Sequence, residues 1–362
     1  MKPQSKLLIL LLLLPAMLLA NHGPFKGKYT KEKKIKKEYS VNANAGLEVD
    51  NSYGNIEITT WNENRTVIEV HILTNGNDEE EVQKRLDEIT VDFSGNASLV
   101  SAKTRFGDKK GSSWSWWGKK NKNISIEVHY TIKLPVTNSV DLDNNYGAIN
   151  LNRLEGNAKI NCDYGQLIIG DLMANNNYLN FDYTSKSTIA YMKSGKIDAD
   201  YSSFTLDKVG NLELNADYTN SEIGEANEVN YNCDYGKVTI HKAVNILGRG
   251  DYVSNRIGSV SGSLNLNTDY GSIVVDRLTG TAKNVTINAD YTGIKLGLAS
   301  NYSFDFTVQL SYCGMKGEEL VTMLKSSSEN SQKMYSGYHG SKNSGNIVNI
   351  DSDYGGVTFF RN

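Results

Sequence analysis

Asn215-Ala216-Asp217-Tyr218-Thr219-Asn220-Ser221-Glu222-Ile223 is answered 17 residues on by Asn232-Cys233-Asp234-Tyr235-Gly236-Lys237-Val238-Thr239-Ile240. Outward from this pair, the same phrase recurs as Asn145-Tyr146-Gly147, Asp163-Tyr164-Gly165, Asp182-Tyr183-Thr184, Asp200-Tyr201-Ser202, Asp251-Tyr252-Val253, Asp269-Tyr270-Gly271 and Asp290-Tyr291-Thr292. Displaced copies are Ser52-Tyr53-Gly54, Ser311-Tyr312-Cys313 and Asp353-Tyr354-Gly355. From Tyr146 to Tyr312 the intervals are 18, 19, 18, 17, 17, 17, 18, 21 and 21 residues, and Tyr354 follows after 42. A period near 18 marks one supersecondary unit repeated and stacked.

Within the unit, residues before the tyrosine alternate. Ile160 and Cys162, Leu212, Leu214 and Ala216, Leu264 and Leu266, and Val285, Ile287 and Ala289 are apolar or small; Asn161, Asp163, Asn215, Asp217, Asn267, Asp269, Asn288 and Asp290 between them are polar. Period two is the signature of a half-buried strand, and it places the tyrosine on the inward side. After the tyrosine the phase shifts, with apolar pairs Ile56/Ile58, Ile149/Leu151, Leu167/Ile169, Phe204/Leu206, Val238/Ile240 and Ile273/Val275. The small residue after the tyrosine is expected to supply the bend. A further apolar position follows at Leu154, Leu172, Tyr191, Val209, Ala243, Val260 and Leu278, and Gly156, Gly262 and Gly280 mark another turn.

These readings predict an all-β chain: a parallel β-solenoid of about twelve short coils, with the right hand favoured by the rule for parallel crossovers. The strict six-residue apolar spacing of left-handed hexapeptide helices is absent. At ~4.8 Å per coil, the coils from Tyr146 to Tyr312 would form a rod on the order of 45–50 Å long.

Lys2 and Lys6 precede an apolar run from Leu7 to Leu14 that continues to Ala20, so residues 1–20 read as a secretory signal peptide. An uncleaved anchor is the alternative, from a run short of the ~20 residues a span needs. The chain has 38 Lys and Arg against 41 Asp and Glu, a net charge of −3 that becomes −5 without Lys2 and Lys6. This balance argues against nucleic acid as a partner. Cys162 and Cys233 lie four coils apart, roughly 19 Å at the strand spacing, beyond the reach of a disulfide. Together with Cys313 they read as small buried core residues.

Residues 21–40 read as a lysine-rich linker with Lys26, Lys28, Lys31, Lys33, Lys34, Lys36 and Lys37, either solvated or attached to anionic lipid or glycan. Residues 41–140 hold a first coil and an insertion. The insertion has a strand with Ile68, Val70 and Ile72, then a helix over Asp78 to Ile89 behind an aspartate cap, then strands at Val91 and Phe93, around Leu99, and from Ile124 to Leu134. It is expected to close the N-terminal end as an antiparallel-strand and helix cap. Residues 141–315 form the regular solenoid; 316–362 hold a short helix over Glu318 to Lys325, a loop over 326–345, and a last coil over Asn349 to Phe360 that finishes the rod.

The stretch Ile126-Glu127-Val128-His129-Tyr130-Thr131-Ile132-Lys133-Leu134-Pro135, followed by Val140-Asp141-Leu142-Asp143-Asn144-Asn145-Tyr146-Gly147-Ala148-Ile149, resembles the bacterial putative-adhesin β-strand repeat family. The resemblance covers roughly residues 41–310. It implies a β-solenoid on an exported protein and an adhesin-like label, and it supplies no catalytic residues. The recurring tyrosine is heavier here than the family pattern requires.

Three features could carry chemistry. Asp163, Asp182, Asp200, Asp217, Asp234, Asp251, Asp269 and Asp290 hold one position in eight consecutive repeats. Either each carboxylate ties its own turn by accepting an amide two residues on, or the ladder binds Ca²⁺ weakly between coils. The tyrosines read as inward packing; an outward column would offer glycan contacts. Lastly, Trp114, Trp116 and Trp117 stand among Lys109, Lys110, Lys119, Lys120 and Lys122 in a polar loop. That composition suits lipid or glycan binding, with Lys119 and Lys120 beside the rings, or else an aromatic flap over the first coil. Scattered histidines and regular coils point away from an enzyme and from any cofactor. The sequence therefore reads as a non-catalytic exported module, structural or adhesin-like, in the periplasm, on the outer surface or outside the cell. Its partner would be a surface glycan, an envelope lipid or another protein. A periplasmic sensor or stress-related binding protein, and a glycan-active β-helix enzyme, are the alternatives.

Overall fold

The computed structural model describes residues 27–107 and 124–361. Among them the chain is all-β with one α-helix, and its strands form one large, mostly parallel, open sheet.

Each tyrosine phrase separates two strands, and each strand pairs in parallel with its counterpart one repeat away. The strands before the tyrosine form one ladder: Gly46–Ser52, Ser139–Asn145, Ala158–Asp163 and Asn177–Asp182. Those after it form a second: Ile56–Trp61, Ala148–Leu154 and Gln166–Leu172. The ladders merge where the connecting corner straightens. Ser187–Asp200, Ser203–Asn215, Asn220–Asn232 and Gly236–Arg249 each run unbroken from one phrase to the next. Inward residues of both ladders are buried, Ile160, Leu179, Ile197 and Leu214 on one and Ile149, Leu167, Phe204 and Val238 on the other. One repeat carries an extra residue, Lys186, at φ 55°. It shifts the register so that Met192 pairs with Leu172 and takes the buried place that the sequence pattern gave to Tyr191.

The insertion after the first repeat has the expected elements. Arg65–Gly76 lies antiparallel between Tyr29–Ser40 and Ser125–Pro135. The helix Glu79–Glu88 is capped by Asp78, whose carboxylate accepts from the Glu81 amide at 3.3 Å. Leu99–Phe106 pairs antiparallel with Ile89–Gly95 and parallel with Gly46–Ser52.

Three expectations need correction. Residues 29–40 form an edge strand instead of a linker, and its lysines have local work. Lys31 bonds Glu79 and Lys36 bonds Glu69, both at 2.6 Å, while Lys33 reaches the Ile89 carbonyl at 2.7 Å. The alternation that gives this strand a half-buried face was masked by its charge. At the other end, the only helix over 318–325 is a single 3₁₀ turn, Glu318–Leu320, and Thr322–Glu329 pairs antiparallel with Gln332–His339 where a loop was expected. Finally, Ile347–Asp353 does not finish the stack. It inserts between Val285–Asp290 and Phe304–Ser311. A chain that returns from a hairpin can fill an inner place, and the sequence spacing alone does not distinguish the two.

Candidate functional site

The tyrosines are outside. All twelve of the repeat tyrosines, from Tyr53 to Tyr354, have positive φ between 50° and 64°. Strand alternation holds only while the backbone stays extended. A left-handed residue rotates the chain, and the ring that parity would bury swings into solvent. Tyr218 is 50% exposed, and the end members Tyr53 and Tyr312 are 38% and 64% exposed. The bend is therefore made by the tyrosine itself, with Thr, Ser or Val after it as readily as Gly. Where Gly follows, close approach requires it: a Cβ on Gly147 would lie 2.0 Å from the Gly54 carbonyl oxygen.

The twelve rings form one continuous stack. Neighbouring centroids are 4.6–5.3 Å apart with planes within 11° of parallel. The order follows strand pairing, so Tyr291 stacks on Tyr354 and Tyr354 on Tyr312. Phe106 meets the first ring, Tyr53, edge-on at 5.6 Å. A left-handed non-glycine residue costs roughly 1–2 kcal/mol, and an aromatic pair returns about 0.5–1.5 kcal/mol beyond its buried area. Each ring thus offsets its own backbone strain by stacking on its neighbours.

Beside the rings runs the aspartate column. Its geometry differs from the expected turn within one repeat. The Oδ1 of Asp182 accepts from the Asp200 amide at 3.1 Å, and the bond repeats from Asp200 to Asp217, Asp217 to Asp234, Asp234 to Asp251, Asp251 to Asp269, Asp269 to Asp290 and Asp290 to Asp353 at 2.7–3.3 Å. The nine tyrosine amides from Tyr146 to Tyr291 each donate to the carbonyl of the aspartate in the next layer, as from Tyr218 to Asp234 at 2.9 Å. Carboxylate and tyrosine therefore stitch one repeat to the next. Just inside them, the hydroxyls of Ser202 and Thr219 accept from the amides of Thr184 and Ser202, both at 3.0 Å.

The column is electrostatically strained at Asp182. Burial, then the neighbouring carboxylates Asp200, Asp163 and Asp198, push its acid up from the usual range, against the lowering effect of the Asp200 amide. Tyr164, Tyr218, Tyr270 and Tyr354 are also pushed up, by desolvation in the stack and by flanking tyrosines and aspartates. Among the described residues, no group of three or more His, Cys, Asp or Glu is placed to hold a metal ion.

The remaining candidates are soon placed. Trp114, Trp116, Trp117, Lys119 and Lys120 lie outside the described residues. Cys162 and Cys233 are buried free thiols, both pushed up to about 12 by burial, whereas Cys313, expected in the core, is only half-buried. His71, His129 and His241 face Glu32, Glu127 and Glu222, and His339 faces the Tyr302 carbonyl. The outward ridge was missed from the sequence, although the phase change at each tyrosine signals a residue that is not extended.

No protein-family model and no curated protein matches this chain. Among solved structures, it is similar to a putative adhesin from Parabacteroides merdae at 13% identity, over 74% of this chain and 92% of that one, with a TM-score of 0.30. A putative adhesin from Parabacteroides distasonis is 11% identical over 76% of this chain and 94% of that one, with a TM-score of 0.28. A putative cell adhesion protein from Clostridium sporogenes is 11% identical over 92% of this chain and all of that one, with a TM-score of 0.18. All three bear the adhesin or cell-adhesion label that the sequence resemblance implies. At these TM-scores the likeness carries no argument about function, which rests on the chain's own surface. No helix among the described residues is long and apolar enough to cross a membrane.

Proposed function

We propose that the repeats wind as a right-handed parallel β-solenoid of about twelve coils, closed at its N-terminal end by the antiparallel strands and the helix of the insertion. The protein is an exported, non-catalytic module of the cell envelope that binds its partner in an adhesin-like manner. One observation carries this reading: an uninterrupted ridge of twelve exposed tyrosines, nine of them flanked by an aspartate. A surface that repeats one chemistry along its length suits an extended partner better than a small substrate held in a cleft. Regular strand-to-strand pairing also leaves little long-loop material from which to build a cleft.

The test is an array of envelope glycans, lipids and surface proteins probed with the purified chain and with a ridge variant, Asp217→Asn/Asp234→Asn/Asp251→Asn. The expected result is an envelope component bound by the wild type and released by the variant. Equal binding by both, or none by either, would sink the reading. Protease added to intact producing cells should cleave an outer-surface protein and spare a periplasmic one.

A further inference from the structure

The ridge has a chemical bias that narrows its partner. Along the stack, short of its last ring Tyr312, ring faces are taken by neighbouring rings, so only ring edges and phenolic hydroxyls point outward. Stacking of a sugar or a planar ligand on those faces is foreclosed. Ring edges accept the aliphatic stems of long side chains, and the hydroxyls accept and donate hydrogen bonds.

Charge decides the rest. Elsewhere on the sheet, several outward acids have basic partners: Asp171 with Arg153, Asp141 with Lys159, Glu225 with Lys242 and Asp198 with Lys196. The ridge aspartates Asp163, Asp182, Asp200, Asp217, Asp234, Asp251, Asp269, Asp290 and Asp353 have no ion pair among the described residues. Seven of them use one carboxylate oxygen on the next amide, which leaves the other oxygen for a partner. An anionic lipid or glycan would be repelled.

Resting on the reading of the ridge as a binding surface, we propose that it docks an extended Lys- or Arg-rich polypeptide segment laid along the aspartate column. Same-side residues of an extended chain are about 6.8 Å apart and the repeats about 4.8 Å. Two side-chain steps of the peptide therefore nearly match three steps of the ridge, both about 14 Å. The flexible stems of Lys and Arg absorb the remainder, seating ammonium or guanidinium groups on the carboxylates and methylenes on the ring edges.

A fluorescent twelve-residue peptide alternating Lys and Ser is the probe, read by anisotropy against salt. Binding should saturate and weaken as salt rises. Asp217→Asn/Asp234→Asn/Asp251→Asn should weaken it about tenfold. The fold tolerates that change, since Asn145 holds the equivalent position, paired with Asp163. Glu213→Gln/Glu222→Gln/Glu228→Gln removes the same charge off the ridge and should change binding less than about twofold. Equal losses in the two variants would mean general electrostatics and overturn the proposal. So would absence of binding, or displacement of the peptide by spermine at matched charge, which would mark a small-cation site. Should the peptide fail while an array component still binds in a ridge-dependent way, the partner class is wrong and the binding surface stands.

Discussion

Tyr235 shows how one residue sets the corner. Its φ of 52° is a conformation that costs little for glycine and roughly 1–2 kcal/mol for a residue with a Cβ. Its ring stacks at 4.9 Å on Tyr218 and 4.8 Å on Tyr252. Tyr235→Ala keeps the strain and loses the stack, while Tyr235→Gly loses the stack and the strain together. The glycine variant should therefore be the more stable by about 1 kcal/mol in urea melts. Alanine matching or exceeding glycine would contradict the left-handed corner. This residue also marks where reading from sequence stops. Alternation along Val229, Tyr231 and Cys233 correctly buries all three, and extending it one more step buries Tyr235 wrongly. Apolar Val238 and Ile240 obey the opposite parity, so one residue between them had to leave the extended region. Nothing in residue type singled out the tyrosine, because tyrosine rarely adopts positive φ.

At the scale of the strand, large and small residues are matched between repeats. Tyr231 on Asn220–Asn232 is buried, and its hydroxyl donates to Asn255 Oδ1 at 2.6 Å. Its register partner on Gly236–Arg249 is Gly248, where a Cβ would sit 2.1 Å from the Tyr231 ring. Gly248→Ala should cost about 1–3 kcal/mol by overpacking. Tyr231→Leu should restore most of it, since Leu214 fills the same column one repeat earlier. A double-mutant cycle with no coupling between the two sites would refute the match. The strands themselves were legible because seventeen-residue spacing and two-residue alternation agree from Ser203 to Arg249. Tyr29–Ser40 and Thr322–Glu329 were not: the first alternates largely through Lys, the second is almost wholly exposed, and both look like linker and loop when polarity alone is counted.

Across the whole molecule, one aspartate of the column, Asp182, links stability to pH. Asp182 has a higher proton affinity when folded, through burial first and neighbouring carboxylates second. The native state then holds more protons than the unfolded chain between the ordinary value of 3.8 and the raised one. Through that window this residue's contribution to stability falls as pH rises and returns on acidification. Glu32 and Glu225, lowered by His71 and Lys242, act in the opposite sense, so total stability does not isolate the effect. The difference between wild type and Asp182→Asn does. The variant should melt higher at pH 7, and the gap should close near pH 3. A gap that is constant with pH would place its cause outside the carboxylate.

The place of Ile347–Asp353 bears on the order of assembly. The strand Phe304–Ser311 pairs in parallel with Ile347–Asp353 and antiparallel with Gln332–His339. Its neighbour in sequence, Val285–Asp290, is separated from it by one intervening layer. A chain emerging from its N-terminus can add layers in order only as far as that point. The next layer must wait for residues translated some sixty positions later. Deleting Ile347–Arg361 would thus take out an inner layer and leave Phe304–Ser311 without the strand that joins it to Val285–Asp290.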